Sequence, residues 1–173
     1  ADGPLRPLLL GYGLGGRVFH APLLEADPRY SLDVIVTADP ERARAASLAY
    51  PRAAVVPSSE AALALAGELD LAVISTPPAT HAPLGLAALR AGLHVVADKP
   101  FAHSPQAARD LLETAAAAGK ELSVFQNRRW DGDFLTLKGL IERGDLGTVS
   151  RFESRMESFK PSVTKAWKRE AGT

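Results

Sequence analysis

Lys99 is the residue of this sequence best placed to carry chemistry. It stands in Asp98-Lys99-Pro100, directly after the apolar run Leu93-His94-Val95-Val96-Ala97, which reads as a buried parallel strand. The carboxyl end of such a strand is where open α/β sheets hold their ligands. A lysine inside a strand core is disfavoured because an unpaired buried ammonium is expensive, and the proline ends the strand by removing a ladder donor. On this tripeptide alone two readings stay open: a protonatable amine delivered to a crevice, or a lysine at an ordinary exposed strand end.

A second constellation is Gly11-Tyr12-Gly13-Leu14-Gly15-Gly16, which matches G-x-G-x-x-G at Gly11, Gly13 and Gly16. The pattern is weak alone, but here it follows a strand and opens a helix, the context that a dinucleotide loop requires. The first glycine permits the tight turn, the second lets the backbone approach a pyrophosphate, and the third lets helix and strand pack closely. The helix N-terminus adds amide donors and partial positive charge. A glycine-rich turn without a ligand is the alternative. NAD-preferring folds place an acid about 20 residues after the loop, where this chain has Thr37 and Ala38. Asp39 is nearest, but before Pro40 it reads as a helix N-cap. Without a carboxylate to repel a 2′-phosphate, and with Arg42 close by, NADP is expected over NAD.

These residues need a scaffold, and the first 125 residues supply its pattern. Apolar runs at Pro7–Leu10, Leu32–Val36, Ala54–Val56, Leu69–Ser75, His94–Asp98 and Leu122–Phe125 alternate with helical stretches. Asp39-Pro40 and Ser104-Pro105 open two of the helices and Gly119 closes the second. This alternation predicts a parallel sheet covered on both faces, joined by right-handed crossovers. After Phe125 the pattern changes. Asp131 to Arg143 reads as an amphipathic helix with Phe134, Leu137, Leu140 and Ile141 on one side. Thr148 to Phe159 alternates apolar and charged residues as a half-buried strand does. The expected organisation is an α/β, doubly wound parallel sheet over residues 1–125, followed over 126–173 by the truncated start of a second α/β domain.

The 173 residues are enough to bury a real core. No stretch approaches the roughly 20 apolar residues of a membrane helix, and the N-terminus lacks the pattern of a signal peptide. The absence of cysteine rules out disulfides and thiolate sites and is compatible with a cytoplasmic setting. No metal site is expected. A formal net charge of zero gives no global signal for nucleic acid or anionic membrane. The basic residues Arg128, Arg129, Lys165, Lys168 and Arg169 fall in the second segment and read as a solvated surface on charge alone.

With the glycine loop, Ser75-Thr76-Pro77-Pro78-Ala79-Thr80-His81 and Asp98-Lys99-Pro100 in this order, the chain resembles the Gfo/Idh/MocA oxidoreductases, whose lysine motif is usually Glu-Lys-Pro. Phe19-His20-Ala21-Pro22, the stretch Asn127 to Lys138 and Phe152-Glu153-Ser154 with Trp167 are similar to the branch that includes NADP-dependent scyllo-inositol dehydrogenases. The resemblance implies a nucleotide-binding domain followed by an α/β domain with a large open sheet. It implies hydride transfer between a nicotinamide and a polyol or sugar. Full-length relatives are expected to be homodimers or higher homo-oligomers.

By the same resemblance Ser75, Thr76 and Pro77 would line the cofactor's path. His81 would lie near it or be an ordinary helix-start residue. Lys99 would reach the nicotinamide and the substrate hydroxyl, and Asn127 and Arg128 would lie near the nicotinamide. Trp167 and Lys168 match a Trp-Arg pair, with the arginine's bidentate capacity lost. Arg129 and Trp130 are expected to pack a domain junction. Relatives carry an active-site aspartate and histidine in a later segment not found up to Thr173, so this chain is expected to be catalytically incomplete. The alternatives are a nucleotide-binding module without catalysis and, ranked last, an interaction protein that uses the strand at Thr148–Phe159 as a pairing edge.

Overall fold

The structure, a computed structural model, describes residues 3–159. The described residues divide into two compact units, 3–125 and 126–159. The first unit is built on six parallel strands: β1 (Pro7–Leu10), β2 (Val34–Val36), β3 (Ala54–Val56), β4 (Leu71–Ile74), β5 (His94–Ala97) and β6 (Leu122–Val124). They lie in the order β3-β2-β1-β4-β5-β6, the doubly wound arrangement expected from strand–helix alternation. The order reverses between β1 and β4, whose register pairs Leu8 with Ala72 and Leu10 with Ile74.

Side chains alternate across the strands and so build two cores. Leu8, Leu10, Val34, Val36, Ala72, Ile74 and Val95 point to one face. There they pack with Ala62 of α3 (Ser59–Leu63), Ala82, Ala88 and Leu89 of α4 (His81–Arg90), and Leu111 and Ala115 of α5 (Pro105–Ala118). Leu9, Ile35 and Val73 point the other way. They meet Ala21 and Leu24 of α1 (Ala21–Ala26), Ala46 of α2 (Pro40–Ala49), and Tyr12. Strands buried on both faces explain the unbroken apolar runs of the sequence.

Local chemistry sets the ends of these elements. The Asp39 carboxylate accepts the backbone N–H of Arg42 at 3.0 Å and caps α2. The Ser104 hydroxyl accepts that of Ala107 at 3.1 Å and caps α5, which Gly119 closes in the left-handed conformation. β2 and β4 start two residues later than their apolar runs suggest, and Arg6 bonds the carboxylates of the residues just before them. Its N–H donates to the Asp70 carboxylate at 2.8 Å and its Nε to Asp33 at 2.5 Å.

The second unit contains a turn at Asn127–Trp130 and the helix α6 (Gly132–Glu142). Only part of the helix's apolar side is covered: Leu137 and Leu140 are half-buried, while Phe134 and Ile141 are exposed. The strand expected over Thr148–Phe159 is not formed. Residues 151–159 have no regular structure, and Phe152, Met156 and Phe159 are exposed. Alternation alone cannot hold a strand whose N–H and C=O groups have no partner strand among the described residues. The tail Lys160 to Thr173 lies outside the described residues.

Candidate functional site

The carboxyl ends of the central strands continue the sheet's ladder for one more step. Ser75 N–H donates to Leu10 C=O at 2.8 Å, Asp98 N–H to Ile74 C=O at 2.9 Å and Phe125 N–H to Ala97 C=O at 2.8 Å. Gly11, Ser75 and Asp98 therefore emerge side by side at the point where strand order reverses, the position at which doubly wound sheets form a crevice.

The glycine loop is folded against this row. Gly11 has φ +101°, and a Cβ there would lie 2.6 Å from the Ser75 carbonyl oxygen, so both conformation and space demand glycine. A Cβ on Gly15 would run into the Ser75 hydroxyl and come within 3.0 Å of Asp98 Oδ2, and one on Gly16 would collide with the Gly11 carbonyl. Gly13 differs: its nearest neighbour is Arg42 Nη1, 3.9 Å from the Cβ position. The loop is thus sealed against the protein at three glycines and open at the fourth, under an arginine. This is a cradle with one bare backbone face, and it fits a dinucleotide pyrophosphate.

At the end of β2, Thr37 is buried, its N–H donating to Val56 C=O at 3.1 Å, and Ala38 is exposed. Asp39 faces Arg42 with its carboxylate, Oδ2 lying 3.6 Å from Nε, in addition to capping α2. Its charge is therefore partly offset where an NAD-binding acid would otherwise act.

Asp98 is the node of the site. It accepts the Ser75 hydroxyl at 2.8 Å through Oδ2, while Oδ1 lies 3.4 Å from His20 Nε2. The latter distance is long for a hydrogen bond, and His20 Nε2 has no better partner among the described residues. Burial pushes the Asp98 carboxyl upward, but the contacts from His20 and Ser75 and the charges of His20 and His81 outweigh it and hold the carboxyl below its usual range. His20 reaches this place because the helix after the loop opens with a π-helical turn, Gly16–His20. Its ring rests on Phe125, with centroids 4.3 Å apart.

Lys99 follows Asp98 and is exposed at the mouth of this row. Its peptide bond to Pro100 is cis. Behind the crevice His81 is 1% exposed, with Nε2 2.8 Å from the Thr76 carbonyl oxygen and Nδ1 2.8 Å from that of Pro100. The Thr76 hydroxyl is 2.7 Å from that of Thr80.

The structure brings Gly11, Gly13, Gly15, Gly16, Ser75, Asp98 and Arg42 to one place, with Thr76 and Lys99 adjoining in the chain. It sets two other expected ligand residues apart. The Tyr12 ring is buried and packs edge-on against Tyr50, centroids 6.3 Å apart, so its backbone alone belongs to the loop. The His81 imidazole is enclosed between the Thr76 and Pro100 carbonyls, set back from ligand contact. Leu14 and Pro77 are exposed. Asn127 and Arg128 lie in the second unit, where Arg128 Nη1 donates to Asp131 at 2.6 Å. Trp130 is 76% exposed. Trp167 and Lys168 lie outside the described residues. His20 has no role legible in the sequence, because no local pattern announces the π turn that aims it at Asp98.

A cavity of about 640 Å³ lies against the sheet face of Leu71, Val73 and Val96, with His20, Leu23, Tyr30 and Phe125 among its walls. Its lining is mainly apolar.

The residue pattern of the oxidoreductase family with an NAD-binding Rossmann fold, Gfo/Idh/MocA, matches residues 5–126. YdgJ of Escherichia coli, an uncharacterised oxidoreductase, is 46% identical over 168 residues, which cover 97% of this chain and 47% of that protein. IolW of Bacillus subtilis, an NADP⁺-dependent scyllo-inositol 2-dehydrogenase, is 35% identical over 165 residues, covering 95% of this chain and 45% of that one. The solved structure of a Yersinia pestis protein described as an oxidoreductase superposes with a TM-score of 0.87 at 42% identity, over 99% of this chain and 48% of its own. The chain thus spans about half the length of the curated relatives it matches.

Proposed function

The chain belongs to the Gfo/Idh/MocA oxidoreductase family, and from that premise we propose that it is the nucleotide-binding part of an NADP-dependent dehydrogenase acting on a polyol or sugar. The observation that carries this reading is the row Gly15–Ser75–Asp98, which joins the glycine cradle to the residue beside Lys99. It supports an amine held next to a dinucleotide over the alternative of an isolated strand-end lysine. The inositol-like substrate class rests on the likeness to IolW.

When bound, the nicotinamide supplies or accepts the hydride. The chain's own residues bind, orient and handle charge. The open backbone at Gly13 and the N-terminal turn of the following helix receive the pyrophosphate. Ser75 and Asp98 hold the ends of β4 and β5 in fixed relation, so that Lys99 is presented from a rigid strand end. The Lys99 ammonium stabilises negative charge developing on the substrate oxygen and assists proton transfer there. The principal acid/base histidine of the complete enzyme is assigned to the sequence that follows this chain in its relatives.

The NADP preference rests on Arg42. Its guanidinium overlooks Gly13, the β2 end offers Thr37 and Ala38 instead of an acid, and Asp39 is engaged at the α2 cap. A 2′-phosphate would meet a cation there and little unopposed negative charge.

The test is to titrate NADPH and NADH into the full-length protein and to assay oxidation of scyllo-inositol with NADP⁺. Tighter NADPH binding with turnover is expected. Binding without turnover of inositols or sugars would favour the non-catalytic module, and tighter NADH binding would remove the NADP assignment.

A further inference from the structure

His81 presents an accounting problem that the dinucleotide reading does not use. A neutral imidazole carries one N–H and one acceptor nitrogen. Here both ring nitrogens face acceptors, the carbonyl oxygens of Thr76 and Pro100, each at 2.8 Å. The ring is 1% exposed, so water has little access to either contact. Turning the ring over would place carbons where the nitrogens stand and relieve neither contact. A neutral ring would set one nitrogen lone pair against a carbonyl lone pair at hydrogen-bond distance, an arrangement that burial makes more costly.

We propose that His81 is a doubly protonated imidazolium that clamps the β4 exit loop at Thr76 to the β5 exit loop at Pro100, and so serves as the positioning residue for Lys99. Both carbonyls are then satisfied by N–H donors. The buried positive charge is opposed by Asp98, whose carboxylate senses His81 as well as His20. The clamp has a mechanical meaning. Asp98 is fixed to Ser75 on one side of Lys99, and the Pro100 carbonyl is fixed to His81 on the other. The lysine backbone is therefore held at both flanks, while its side chain remains exposed.

The charge state stands apart from the dehydrogenase reading; the effect on Lys99 rests on it. Histidine ring ¹⁵N spectra of the full-length protein at neutral pH, correlated to the His81 backbone, test the first part. Two N–H-type ring nitrogens on His81 are expected, and one lone-pair nitrogen would overturn the clamp as described. The second part is tested with His81→Gln, which keeps one amide donor. Turnover is expected to fall about tenfold, the loss of one charge-assisted hydrogen bond's worth of positioning, while the NADPH dissociation constant changes little. Unchanged turnover, or a parallel loss of cofactor affinity, would remove the positioning role. If this variant does not fold, the wild-type ring spectrum still decides the charge. A wild-type protein without turnover would defeat the dehydrogenase reading and leave the spectroscopic result standing.

Discussion

The Ser75 hydroxyl donates to the Asp98 carboxylate at 2.8 Å, across the point where the outgoing ends of β4 and β5 meet the glycine loop. Gly15 has no room for a side chain because this pair occupies the space. One hydrogen bond thus joins the cradle to the strand that carries Lys99.

Removing the charge of Asp98 should expose a pH signature. The carboxyl is held below its ordinary value of 3.8 in the folded state, so ionised Asp98 contributes stability that is fully present above the unfolded-state value and lost as pH falls through the folded-state one. Asp98→Asn should destabilise the protein by about 1–3 kcal/mol at pH 7. Its deficit relative to wild type should shrink below about pH 4. Urea denaturation between neutral and acid pH checks this, and a deficit independent of pH would mean that packing, not charge, is lost.

The glycines should separate by what stands over them. Gly16→Ala would drive a Cβ into the Gly11 carbonyl, and Gly11→Ala would add a left-handed φ to a close contact with Ser75. Each should cost about 2 kcal/mol or more. Gly13→Ala meets only Arg42 at 3.9 Å, so its stability should stay within about 0.5 kcal/mol of wild type while dinucleotide affinity falls. Thermal melts paired with cofactor titrations separate the two outcomes.

Arg42→Ala should weaken NADPH about tenfold or more and leave NADH nearly unchanged, since a charge-assisted contact to a 2′-phosphate is about 1.5–3 kcal/mol. Equal weakening of both cofactors would show that Arg42 supports the loop and not the phosphate.

Lys99→Ala should lower turnover of the full-length enzyme on the order of 100-fold, with the NADPH dissociation constant within about threefold of wild type. Stopped-flow kinetics and fluorescence titration read the two quantities separately. Losses of similar size in both would recast Lys99 as a cofactor ligand.

Much of this was legible in the sequence for physical reasons. Six apolar runs with caps at Asp39 and Ser104 announce a parallel sheet, because strands buried on two faces cannot afford polar residues. The G-x-G-x-x-G spacing locates the cradle because backbone approach admits no side chain. What stayed hidden depends on contacts distant in sequence. Arg6 meets the carboxylates of Asp33 and Asp70, which lie 27 and 64 residues away. His20 meets Asp98 through a π turn that no periodicity signals. His81 reads as either a cofactor neighbour or an ordinary helix-start residue until Thr76 and Pro100 close on it. The alternation at Thr148–Phe159 misled because a two-residue period describes a face and cannot supply a partner strand.

The crowding around Asp98 also constrains how this corner can drift over evolutionary time. Residue 98 must reach Ser75 and His20 while leaving Gly15 its space, so its side-chain length is shared property among three other positions. A longer acid at 98 should be accepted only together with a change at 15, 20 or 75, and such pairs should covary among homologues. Lys99, exposed beside them, is free of that bargain and is retained or lost on chemistry alone.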